Sequence, residues 1–86
     1  MVLEGRLFKG TVLLKQAETR NSDAGQTFHK RLEDCFVRLC KMLEIPVPVW
    51  MKKNTAEFSK YRKTFFSSDQ FIDTVFFDRF DVRIEL

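Results

Sequence analysis

Glycine and proline are scarce in this chain, three and two among 86 residues, a composition that argues against a disordered or low-complexity protein. Cysteine is scarcer than a disulfide scaffold needs. Cys35 and Cys40 stand five apart within what reads as one helix, pointing in different directions, which suits two reduced, buried thiols and a reducing cytoplasm. No apolar run approaches the roughly 20 residues that span a bilayer. Neither a transmembrane helix nor a secretory signal is expected, and a membrane is not among the expected partners. Histidine occurs once, at His29, and helix geometry sets it about one and three turns from Cys35 and Cys40, too far for a Cys–His dyad. Glycine-rich phosphate loops, nucleophile elbows and zinc-ligand spacings are all missing. The four aspartates Asp69, Asp73, Asp78 and Asp81 lack the glycine-bearing loop of a calcium site. No catalytic residue, metal ligand or cofactor is expected, and the chain does not read as an enzyme.

What is abundant is phenylalanine, ten residues of it, so that a few large rings fill a small core. Charge is plentiful but uneven. Residues 1–51 carry 8 basic and 6 acidic groups, residues 52–66 carry 5 and 1, and residues 67–86 carry 2 and 5. A basic middle and an acidic end are thus concealed beneath a net charge of +3.

Periodicity predicts a single α+β domain over residues 1–86. "VLEGRLFKGTVLLKQAETR" alternates like a β-hairpin, turning at Lys9-Gly10 where glycine supplies a positive φ. "NSDAGQTFHKRLEDCFVRLCKMLE" is the long helix: from Phe28, apolar residues recur at offsets of 4, 7, 8, 11, 12 and 15. Ser22 or Asp23 is its expected N-cap, and it ends near Glu44 because Ile45 precedes Pro46. "IPVPVW" reads as an extended edge segment. Asn54 then caps a second helix with Phe58, Tyr61 and Phe65 on its apolar side, and Ser67 with Gln70 caps a third, turning Phe71, Ile72 and Val75 inward. "RFDVRIEL" closes the chain as a strand with Phe80, Val82, Ile84 and Leu86 on one face. The expectation is a small antiparallel sheet, made of the N-terminal hairpin and the C-terminal strand, packed against one long and two short helices.

The densest local signal is "KKNTAEFSKYRKTFF", with five basic residues, four aromatic rings and one acid. Taken as a helix at about 100° per residue, it puts the rings inward and Lys60 and Lys63 outward. That separates the rings from the charges with which base-stacking surfaces interleave them. Lys60, Arg62 and Lys63 also suit a helix C-terminus electrostatically, whereas Lys52 and Lys53, expected just before the N-terminus, do not. Beside them stands Trp50, a residue type enriched in interface hot spots. Val37 lies opposite the centre of the long helix's apolar stripe, so it is exposed or covered by a partner.

Two partner readings follow. The first is a protein partner held by Trp50, Lys52, Lys53 and Val37, with the edge segment 45–50 offering backbone for strand addition. The alternative is nucleic acid held by Lys52, Lys53, Lys60 and Lys63. The second half of the chain, "IPVPVWMKKNTAEFSKYRKTFFSSDQFIDTVFFDRFDVRIEL", resembles a group of short proteins of Gram-positive bacteria and their mobile elements. The resemblance implies a prokaryotic, cytoplasmic setting and transfers no activity or site residues.

Overall fold

The hairpin at the N-terminus sets the frame. In the computed structural model, which describes residues 1–86, β1 (Val2–Lys9) and β2 (Val12–Arg20) pair antiparallel. Positive φ falls only at Gly10 within the two-residue Gly10-Thr11 loop, which fits a type II′ turn. Asp78 pins this turn from the far end of the chain: its carboxylate accepts from Gly10 N–H at 2.7 Å, and its own N–H donates to the Phe8 carbonyl at 2.8 Å. A register shift between Leu7 and Phe8 marks a bulge at the hairpin tip.

β4 (Arg79–Glu85) pairs antiparallel with β1, as its alternation requires, and a further strand, β3 (Lys63–Ser67), pairs with β4. The result is a four-stranded antiparallel sheet in the order β2-β1-β4-β3. Its inner face carries Leu3, Leu7, Thr64, Phe66, Phe80, Val82 and Ile84, all buried. Gly5 lies on that face because there is no room for more. A Cβ there would stand 2.8 Å from both Leu39 Cδ2 and Phe80 Cε1.

The long helix α1 (Phe28–Leu43) lies across the inner face and buries Cys35, Phe36, Leu39, Cys40 and Leu43. It begins later than the Ser22 or Asp23 cap would place it. Asn21 and Asp23 instead accept from the N–H groups of Asp23 and Gly25, folding residues 21–25 into local turns that compete with helix. Thr27 becomes the cap, accepting from Lys30 N–H at 3.2 Å. Arg38 secures the helix to the sheet by donating to both the Arg20 carbonyl and Asp34. That hydrogen bond holds the Asp34 carboxyl below its ordinary range.

The second half departs furthest from expectation. The second helix, α2 (Lys52–Tyr61), starts two residues before Asn54, so Lys52 and Lys53 belong to its first turn rather than preceding it. It stops at Arg62, which adopts the left-handed conformation with φ 62. Lys63–Ser67 then leaves the helix for the sheet, because Thr64 and Phe66 find Val82 and Phe80 directly across the β3–β4 pair. Tyr61 is consequently exposed, and Phe65 lies on the outer face of the sheet. The expected third helix shrinks to one 3₁₀ turn at Ser68–Gln70. Its Ser67–Gln70 capping contact is present and Phe71 is buried with Val75 packed partly against the core, yet Ile72 is 91% exposed. Leu86, expected inside, is likewise exposed. The fold is α+β with two helices, not three.

Candidate functional site

Two buried polar side chains, Asn54 and Gln70, build the site's framework, and the sequence marks both only as capping residues. Asn54, expected as the cap of the second helix, is fully buried and uses its whole hydrogen-bonding capacity. Its Oδ1 accepts from Met51 N–H at 2.9 Å and Gln70 Nε2 at 3.1 Å, while its Nδ2 donates to Thr64 Oγ1 at 2.8 Å and the Phe65 carbonyl at 3.0 Å. Gln70 also donates to the Val49 carbonyl, and Val49 N–H donates to the Gln70 carbonyl at 2.7 Å. These bonds fix the 45–50 segment against α2 and take up the backbone groups of Val49. The segment pairs with no strand and lies outside the four-stranded sheet rather than at its edge.

Held in this way, the segment directs Trp50 into a cluster of rings. Its ring centroid lies 5.4 Å from Phe36, 5.5 Å from Phe58 and 5.4 Å from Phe66. Such pairs each add about 0.5–1.5 kcal/mol beyond burial. The indole Nε1 donates to Thr55 Oγ1 at 2.8 Å. Trp50 is therefore half core and half surface.

Its surface half walls an open groove of about 670 Å³ between α1 and α2. Phe28, Leu32 and Phe36, four residues apart in turn, form the α1 wall. Thr55, Phe58 and Ser59 form the α2 wall, with Val47 and Pro48 at one side and Ile84 at the floor. Phe28 is 45% exposed and Val47 51%. The groove unites Val37 and Trp50 from the sequence reading. Lys52 and Lys53 do not line it.

The cations lie elsewhere and apart from one another. On the outer face of the sheet, Phe65 is flanked by Lys53 Nζ at 4.5 Å and Arg79 at 4.2 Å from its ring centroid. The expected separation of rings from charges therefore fails at Phe65. Lys63 stands directly across from Arg83, whose other neighbour, Glu4, is followed by Glu18. That row thus runs from basic to acidic, while elsewhere on the face the signs mix, with Arg6 bridged to Glu4 and Arg79 to Asp81. Lys60 leans over the exposed Tyr61 ring, 5.4 Å from its centroid.

Sequence reasoning missed Phe28, Leu32, Phe36, Val47 and Arg62 as wall residues. One signal was available: the apolar stripe of α1 is too wide for the sheet alone to cover. His29 is exposed, 3.7 Å from Glu33, and both cysteines are free and buried. Burial pushes the Cys40 thiol up to about 12. No three His, Cys, Asp or Glu side chains gather closely enough to share a metal ion, and no helix is long and apolar enough to cross a membrane. No protein-family model matches the chain, and comparison with curated proteins and with solved structures likewise finds no match.

Proposed function

We propose that this chain is a non-catalytic protein-binding module of a reducing, cytoplasmic setting, and that it works through the groove between α1 and α2. The observation that carries this reading is the groove itself. A small domain that leaves Phe28 and Val47 in water, beside a half-covered tryptophan, forgoes burial worth about 25 cal/mol per Å². Contiguous apolar surface of this kind marks interaction sites. Affinity capture from the native host tests the reading, comparing the wild-type chain with Phe28→Glu/Val47→Glu. These rim residues, unlike Trp50, can change without emptying the core. One protein retained by the wild type and lost by the variant is the expected result; identical captures count against it.

The outer sheet face favours a second reading, nucleic-acid binding. Like charges directly across a strand pair are destabilising, and Lys63 stands opposite Arg83, which has Glu4 as its neighbour on the other side. With Lys53 beside the half-exposed Phe65 ring, the pair could grip phosphates, and such contacts weaken steeply with salt. Fluorescence anisotropy with single- and double-stranded DNA and RNA decides this: binding unchanged by Lys53→Glu/Lys63→Glu removes it. Of the four lysines in the sequence-level set, Lys52 and Lys60 have no part in this version.

A further inference from the structure

We infer that β2 pairs antiparallel with β2 of a second copy of this chain, about a two-fold axis at Gln16. Neither the groove nor the charged outer face takes part. Edge strands present unpaired N–H and C=O groups, which native sheets cover or leave for a partner. The two edges of this sheet differ in that respect. β3 is short and blunted: the Phe65 carbonyl accepts from Asn54 Nδ2 at 3.0 Å, and Ser67 N–H donates to Gln70 Oε1 at 3.2 Å. β2 is open. Asn21 N–H donates to the Met1 carbonyl, so antiparallel alternation turns Thr19, Ala17 and Lys15 towards β1, and Gln16, Glu18 and Arg20 away from it. Of these outward groups the Arg20 carbonyl is taken, by Arg38. Apart from Ala17 and Thr19, every residue of the strand is exposed, and Val12 stands 60% in solvent. A nine-residue edge with apolar residues in water is a site for strand addition.

Charge and hydrogen bonding select a second copy and set its register. A two-fold axis normal to the sheet places one residue of β2 opposite itself. An axis at Lys15 or Glu18 would oppose like charges. An axis at Ala17 would pair Leu14 with Arg20, whose carbonyl Arg38 already holds. At Gln16 the axis sets Gln16 against Gln16, Lys15 against Ala17, and Leu14 against Glu18, with no like charges opposed. Leu14 is the residue that the bulge leaves without a β1 partner, so its backbone is free to join the ladder. The long helix reaches the same level. It runs antiparallel to β2, since Thr19 Oγ1 donates to the Cys35 carbonyl at 2.9 Å and Lys15 Nζ to the Leu43 carbonyl at 3.4 Å. Its last turn therefore lies level with Gln16. Met42 follows Arg38 by four residues, on the side of the helix from which Arg38 reaches the Arg20 carbonyl, and it is 57% exposed. An apolar side chain overhanging the edge at the level of the axis meets its own counterpart, as an isologous interface requires. A strand from an unrelated protein gives Met42 no such partner.

Sedimentation velocity across a concentration series, with amide hydrogen exchange at Gln16 and Glu18, tests this pairing. The wild-type chain is expected to pass from monomer to dimer as concentration rises, and both amides to exchange more slowly in the dimer. Gln16→Lys and Gln16→Glu each put like charges at the axis, at a position whose backbone bonds nothing in β1, and each is expected to weaken the dimer about fivefold or more. An equimolar mixture of the two is expected to dimerise at least as tightly as the wild type, a rescue that misfolding cannot produce. Met42→Glu is expected to weaken the dimer at an unchanged melting temperature. A wild-type chain still monomeric at about 1 mM would overturn the inference. So would a dimer indifferent to Gln16→Lys and Met42→Glu, or one abolished instead by Phe28→Glu/Val47→Glu, which would move the contact to the groove. Loss without rescue in the mixture would overturn the axis at Gln16. Protection of Gln16 and Glu18 only in the presence of a captured partner protein would make the added strand a foreign one and overturn the second copy.

Discussion

Asn54 illustrates what a single residue can hide. Its place near a helix start, with Glu57 three positions on, matches a capping signature, and sequence offers no hint that it faces Thr64, Phe65 and Gln70. Those partners arrive from 10 to 16 residues away in the chain, through pairings that only the folded sheet creates. Asn54→Ala would strand a buried amide and a carbonyl, and a cost of about 1–3 kcal/mol is expected from urea denaturation. The neighbouring Lys52→Ala, at an exposed position, should cost less than half a kcal/mol. Cys40, by contrast, was legible: its offset on the apolar stripe of α1 places it inside, and it is 1% exposed. Its thiol pKa is raised from 9.0 to about 12, so the unfolded chain releases this proton first. Stability from this group is fully present below pH 9 and declines as pH climbs from 9 towards 12. Urea midpoints measured from pH 7 to 10.5 should fall above pH 9, and Cys40→Ala should flatten that fall.

Among the elements, those whose periodicity was uncontested came through: β1, β2, α1 and β4 all sit where alternation or the helical repeat puts them. The stretch 58–66 did not. Its sequence reads as helix through Phe58, Tyr61 and Phe65, yet Lys63–Ser67 is strand, a pattern that Thr64 and Phe66 also fit. The choice is made by β4, which offers Val82 and Phe80 across from Thr64 and Phe66. The same decision carries Phe65 to the outer face and explains why the basic segment looked more helical than it is. Close packing between elements is just as hidden until the sheet and α1 meet at Gly5. Gly5→Ala should cost about 1–3 kcal/mol by overpacking Leu39 and Phe80. Gly10→Ala meets no atom within 4 Å and should cost only its left-handed backbone, about 1–2 kcal/mol. A neutral Gly5→Ala in thermal and urea denaturation would contradict the packing described at that point.

At the scale of the molecule, the sheet has one buried face and one charged face, and the helices leave a groove between them. Val37 and Trp50 were readable as oddities, one apolar residue on the polar side of α1 and one tryptophan beside two lysines. Their convergence on one surface was not, because it depends on residues of α1, α2 and the 47–50 segment coming to line one groove. Nor could sequence show that Lys53 leaves Trp50 for Phe65. Since Phe28 and Val47 are about half exposed, Phe28→Glu/Val47→Glu should keep its melting temperature within a few degrees while losing the partner. The most direct measurement is backbone-amide chemical-shift mapping of the ¹⁵N-labelled chain as the captured partner is added. The account predicts that the largest shifts fall on Phe28, Leu32, Val37, Val47, Thr55 and Ser59. Shifts concentrated instead on Arg6, Lys63, Phe65 and Arg83 would contradict it and move the working surface to the outer face of the sheet.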